Sequence, residues 1–177
     1  GKPLVFFRGG YGTYAPWPLP IYALGAAEPE IHPTAFVHPD AVVIGRVHIG
    51  AESSIWPTAV LRGDDGDIHI GAATSIQDGT VIHTTALQPT TVGNRCVVGH
   101  NAHLEGCVIE DGSLVGSGSV VLHRARVRSG ALVGANALVP GGMEVPSGAM
   151  ALGVPAKLRD GAVTPGQFEE AVVSYVE

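Results

Sequence analysis

Aliphatic residues recur every six positions along this chain. They fall at Ile31, Val37, Val43, Ile49, Ile55 and Leu61, and after a slip resume at Ile70, Ile76 and Ile82. A second slip leads to Val92, Val98 and Leu104, and a five-residue step to Ile109, Val115, Val121, Val127, Val133, Val139 and Val145. Four residues after each stands a second inward candidate. It is Ala, Ser, Thr, Val or Cys everywhere except at Asp65 and Met143.

The double pattern predicts a triangular coil. Each hexad makes one short strand and one tight turn, and three hexads close a rung. The aliphatic residue fills the interior, and the small one lets the chain turn a corner. Stacked rungs lie about 4.8 Å apart and bond as parallel strands. Glycines at the turns (Gly50, Gly71, Gly93, Gly99, Gly116, Gly130 and Gly134) are expected to supply positive φ. A β-sandwich of short strands requires spacings of roughly 8–12 residues instead. The expected fold is therefore an all-β repeat solenoid, a parallel β-helix of hexapeptide repeats with a C-terminal α-helix.

Three regions break the period. Residues 1–24 are a non-repeat N-terminal arm rich in Pro and aromatics (Phe6, Phe7, Tyr11, Tyr14, Trp17). The slips at 64–69 and 84–91 predict loops bulging from the coil, which itself spans 25–158. In the segment 159–177, residues 164–176 predict a helix packed on the coil. Thr164, Pro165 and Gln167 fit N-cap, N1 and N3 of a capping box, and Phe168, Ala171, Val172 and Tyr175 form one apolar stripe.

Composition narrows the function classes. Glycine fills 25 of 177 positions and proline 13, which by itself is compatible with disorder. The 45% hydrophobic and 15% charged content argues for a packed fold instead. A net charge of −6 with only two lysines argues against nucleic acid or an anionic membrane as partner. No apolar run reaches the length of a membrane span, and no export signal opens the chain. Two cysteines, Cys96 and Cys107, are too few for a disulfide scaffold and are read as core residues of a protein in a reducing, cytoplasmic compartment.

Rung arithmetic places the polar residues. Leu61, Ile82 and Leu104 stack on one face, so Arg62, His83 and Glu105 form an outward column. Gln77, His100, Asn101, His103 and Asp64 are expected in the same zone. Two imidazoles and a carboxylate are a plausible ligand set for zinc. A flat coil face does not readily close three ligands around one ion, and a neighbouring coil of a trimer can supply one. His32, His38, His48, His69 and His123 are read as turn or solvent-facing residues with no role.

The stretches LRGDDG (61–66), SIQDGTVIH (75–83) and VGHNAHLEGC (98–107) resemble the γ-class carbonic anhydrase family of left-handed β-helix proteins. The likeness runs over about residues 21–176, including GVPAK (153–157). It implies a left-handed coil and a homotrimer with Zn (or Fe) at each subunit interface. By this resemblance His83 and the residue at 105 come from one subunit and His100 from its neighbour. Arg62 and Asp64 match the family's intersubunit salt-bridge pair, and Gln77 matches the residue that hydrogen-bonds the metal-bound water, followed by Asp78 as in the family. The implied reaction is reversible hydration of carbon dioxide to bicarbonate, with Asp65 as proton relay.

The sequence departs from that pattern. The family's third ligand is His; here it is Glu105. Ser75 replaces an Asn, Asp65 a common Glu, and loop 84–91 lacks the carboxylate that shuttles protons. The changes predict weak or lost activity. Glu105 ligates in its place, His103 substitutes with a less suitable direction, or the metal is absent and the trimer is a scaffold. A hexapeptide-class acyltransferase or thioesterase, with His83 or His103 as base, is the main alternative, because GVPAK is shared with such enzymes.

Overall fold

The computed structural model describes residues 20–176. The expected arm therefore lies almost wholly outside the described residues. The hexads build a left-handed parallel β-helix closed by one C-terminal helix. One face carries strands such as Ser54–Ile55, Ser75–Ile76, Val97–Val98 and Leu114–Val115 in parallel register. The other two faces belong to one continuous sheet, because Val42–Ile49 and Val60–Ile70 run unbroken across a corner.

The aliphatic positions form three interior stacks. Val43, Leu61, Ile82, Leu104, Val121 and Val139 are successive partners on one face. Ile49, Ile70, Val92, Ile109, Val127 and Val145 are partners on the next. All are buried, and only Ile31, on the first turn, is partly exposed. A side chain that packs under its own copy on the next rung explains why the period tolerates so little variation.

The structure corrects several expectations. The slip at 64–69 is not a loop: it stays within the strand Val60–Ile70, where Asp64 to Asp67 bulge opposite Arg46 alone. Ile68 then takes the inward slot that Asp65 leaves, and Thr90 does the same for Ala86 at the second slip. The segment after His83 does bulge, as a tight turn in which Thr85 and Gln88 exchange backbone hydrogen bonds of 3.3 and 3.1 Å.

Positive φ also falls elsewhere than expected. Of the seven glycines singled out, only Gly130 has it, at 67°. The left-handed position lies three residues after the aliphatic one and is filled by Thr58, Arg95, Asn101, Arg124 or Asn136 as well as by glycine. Gly71 serves a different need. A Cβ there would stand 2.5 Å from the carbonyl carbon of Gly93 on the next rung, so only a bare backbone fits.

The coil starts earlier than residue 25, since Ile21–Tyr22 already pairs with Val43–Ile44. At the far end Lys157–Arg159 pairs antiparallel with Met150–Leu152 and covers an open edge. The capping contacts at 164–167 form, with Thr164 N donating to Gln167 Oε1 at 3.0 Å. The helix nevertheless begins only at Glu169 and ends at Val176. Gly166, at φ 76°, holds a left-handed turn that an α-helix cannot continue through. Phe168 and Val172 are buried against the coil, Trp56 meets the Tyr175 ring edge-on, and Arg95 pairs with Glu169.

Candidate metal centre

The register brings the predicted column together. Arg62 and His83 are partners on adjacent strands, as are His83 and Glu105. Their side chains project outward because the residues before them, Leu61, Ile82 and Leu104, point in. Arg62 donates to Asp64 within the chain. The Asp64 carboxylate also stands 3.1 Å from His83 Nε2, and the other ring nitrogen of His83 lies 3.1 Å from Glu105 Oε1. His83 thus stands between two carboxylates, one at each ring nitrogen.

Glu105 is the hub of this chain of contacts. His103 Nε2 lies 3.2 Å from its Oε2, so His103 is directed into the site, contrary to the sequence expectation. His123 Nε2 lies 3.4 Å from Oε1, a contact that no sequence pattern predicts. Partial burial pushes the Glu105 pKa up, but hydrogen bonds from His83 and His103 and the nearby His123 outweigh it and hold the carboxyl below its ordinary value. Asp64 is likewise net lowered: desolvation raises it, while its backbone hydrogen bond and Arg62 pull it down further.

Two predicted site residues stand apart. Gln77 is buried and donates from Nε2 to the Tyr175 hydroxyl at 2.5 Å, under the C-terminal helix. His100 sits at a corner, about half exposed, with Nδ1 3.0 Å from Asp78 Oδ2. Within one chain no described contact joins it to His83 or Glu105. Among the described residues no three His, Cys, Asp or Glu side chains of a single chain are placed to hold one metal ion.

Two of the expected donors, His83 and Glu105, do stand close together. Two ligands of a tetrahedral zinc stand roughly 3.3 Å apart at bond lengths of about 2.0–2.1 Å. The His83 Nδ1 to Glu105 Oε1 separation of 3.1 Å is close to that span. Beside the pair lies an open depression lined by Asp65, Thr85, Leu87, Gln88, His123 and Arg124.

Cys96 and Cys107 are fully buried, and burial pushes both thiols up to about 12. They are core residues, as the sequence reading holds. The other set-aside histidines remain outside the site: His48 and His69 stack face to face at 4.6 Å, and His38 contacts Asp40.

Coil, register and column together define a hexapeptide-repeat left-handed β-helix with a His–Glu pair on one outer face. Comparison with known proteins agrees. The family described as bacterial transferase hexapeptide (six repeats) matches residues 89–123. A putative acetyltransferase of Bacillus cereus, the product of the BC4754 gene, is 33% identical, with a TM-score of 0.85 over 88% of this chain and 92% of that one. A hexapeptide transferase family protein from Anaplasma phagocytophilum is 34% identical, with a TM-score of 0.83 over 88% and 93%. The carnitine operon protein CaiE of Escherichia coli is 48% identical over 101 residues, 57% of this chain and 52% of CaiE. The chain thus spans about half the length of the curated relatives it matches. This chain belongs to the hexapeptide-repeat family.

Proposed function

We propose that the protein is a γ-carbonic-anhydrase-like trimeric metalloprotein of the cytoplasm. His83 and Glu105 of one copy and His100 of the next hold a zinc or iron ion at each subunit interface. The observation that carries this reading is the His83–Glu105 pair, 3.1 Å apart on adjacent rungs. A second observation supports the assembly. The outward column beside the site, Val60, Val81, His103, Val120 and Leu138, is apolar except for His103, and Val81 is 37% exposed. Such a face suits burial against another copy.

When bound, the ion supplies Lewis-acid activation of water for attack on carbon dioxide. The chain's own groups then have separate tasks. Asp64 and Arg62 hold His83 from the opposite side. Asp65, exposed at the rim of the depression, is the group positioned to pass protons to solvent. Gln77 reaches a water at the site only if Tyr175 releases it. An anionic third ligand makes the ion less electrophilic than three imidazoles do, so hydration is expected to be slow. The test is zinc analysis of purified protein with carbon dioxide hydration, alongside Glu105→His. A gain in zinc affinity and rate on that substitution is expected; protein that assembles but takes no zinc and shows no hydration contradicts the reading.

A second reading has its own observation. His103 and His123 both face the Glu105 carboxylate beside the open depression, and the Bacillus cereus relative is described as a putative acetyltransferase. An imidazole so held can take the proton of an acceptor hydroxyl or amine as it attacks a thioester carbonyl. The C–S bond breaks and the proton passes to the departing thiolate. Release of free thiol from an acyl-CoA, dependent on an acceptor and lost in Glu105→Gln, favours this reading.

A further inference from the structure

The carboxylate of Glu105 is held by more than its candidate ion. We propose that His123 is a positioning residue that fixes the Glu105 carboxylate for zinc binding; the inference rests on the metal reading above. His123 belongs to the rung after Glu105 and contributes no candidate ligand of its own. Its Nε2 lies 3.4 Å from Glu105 Oε1, the same oxygen that faces His83. His103 takes the other oxygen.

The backbone is shaped to admit this ring. Gly106 follows Glu105 directly and has φ 61°. A Cβ on it would stand 2.7 Å from His123 Cδ2 and 3.1 Å from Gln88 Cβ, so the imidazole lies against bare backbone. That turn is pinned on both sides. Gly106 N donates to Thr90 Oγ1 at 2.8 Å, and Arg124 N, next to His123, donates to the Gly106 carbonyl at 2.7 Å. The seat of His123 is thus fixed relative to Glu105 through one backbone turn.

The chemistry explains the need. A carboxylate has two equivalent oxygens and rotates about its last bond more freely than an imidazole ligand. With Glu in the ligand position, the His123 imidazole close beside Oε1 and the His103 hydrogen-bond contact on Oε2 restrict how the carboxylate is presented to an ion. Outer partners of this kind typically change metal affinity by about 10–100-fold. An imidazole at 105 would present a single nitrogen and would not need His123.

The experiment is a double-mutant cycle read by zinc affinity in chelator competition. His123→Ala is expected to weaken zinc binding roughly 10–100-fold, and His123→Gln, which keeps a donor, to recover part of the loss. In the Glu105→His background, His123→Ala is expected to change zinc affinity little. Equal losses in both backgrounds, or no loss in either, overturn the proposal. If the unaltered protein takes no zinc, the metal reading fails by itself. The positioning claim is then read from crystal structures of the metal-free protein and of His123→Ala. A displaced Glu105 carboxylate supports it, and an unmoved one overturns it.

Discussion

His83 and Glu105 are register partners on adjacent strands, with His83 Nδ1 3.1 Å from Glu105 Oε1. The pairing follows from the coil itself, because the residues before them, Ile82 and Leu104, stack inside the prism on the same face. The site's geometry therefore depends on the packing beneath it.

Leu104→Ala tests that dependence. Leu104 is fully buried between Ile82 and Val121, and its truncation leaves a cavity in a stack that cannot easily collapse. A loss of about 2–5 kcal/mol is expected in chemical denaturation. Ile82→Val, one methylene smaller, is expected to cost about 0.5–1.5 kcal/mol.

Gly66→Ala tests the bulge beside the site. Gly66 is buried, and a Cβ there would meet the Thr85 carbonyl oxygen at 2.4 Å. The turn at 85–88 must shift to admit a methyl group. Faster proteolysis within that turn and a lower melting temperature are expected, with the far rungs unaffected.

The acid limb of stability has a defined contributor on the neighbouring face of the coil, just after Ile109. Burial pushes the Glu110 pKa up, but Arg126, Arg128 and the backbone of Ser129 hold it below its ordinary 4.5. A carboxyl depressed in the folded state stabilises above its unfolded value and loses that contribution as pH falls through the folded value. Stability is expected to fall as pH drops below about 4.5, less steeply in Glu110→Gln, as followed by denaturation at a series of pH values.

The sequence reading of the coil succeeded where neighbours repeat and failed where they do not. Each aliphatic position meets its own equivalent on a neighbouring rung, and on both sides in the interior of the coil, so spacing alone locates the core. The helix starts later than the pattern predicts, because Gly166 interrupts the capping sequence formed by Thr164, Pro165 and Gln167. Glycine at the turns predicts positive φ, whereas Gly71 and its equivalents answer to close approach between rungs. His83 and Glu105 were legible because they follow inward residues on one face. His123 was not, since it is set by the turn at Gly106 and carries no motif. Gln77 was placed by resemblance, and its bond to Tyr175 depends on a helix almost a hundred residues away that no local pattern reveals.

Both thiols are expected to be silent in the folded protein. Cys96 and Cys107 are buried with pKa values pushed up to about 12, so an aromatic disulfide reagent should label neither at neutral or mildly alkaline pH. Labelling of both on addition of denaturant, and not before, checks this.

Native mass spectrometry of the full chain, purified without chelator and supplied with zinc, tests the central claim most directly. The expected result is a trimer that carries one zinc ion per subunit and loses zinc, while remaining a trimer, when His100 or Glu105 is replaced by alanine. A trimer that never takes zinc, or zinc retained in full by both variants, contradicts it.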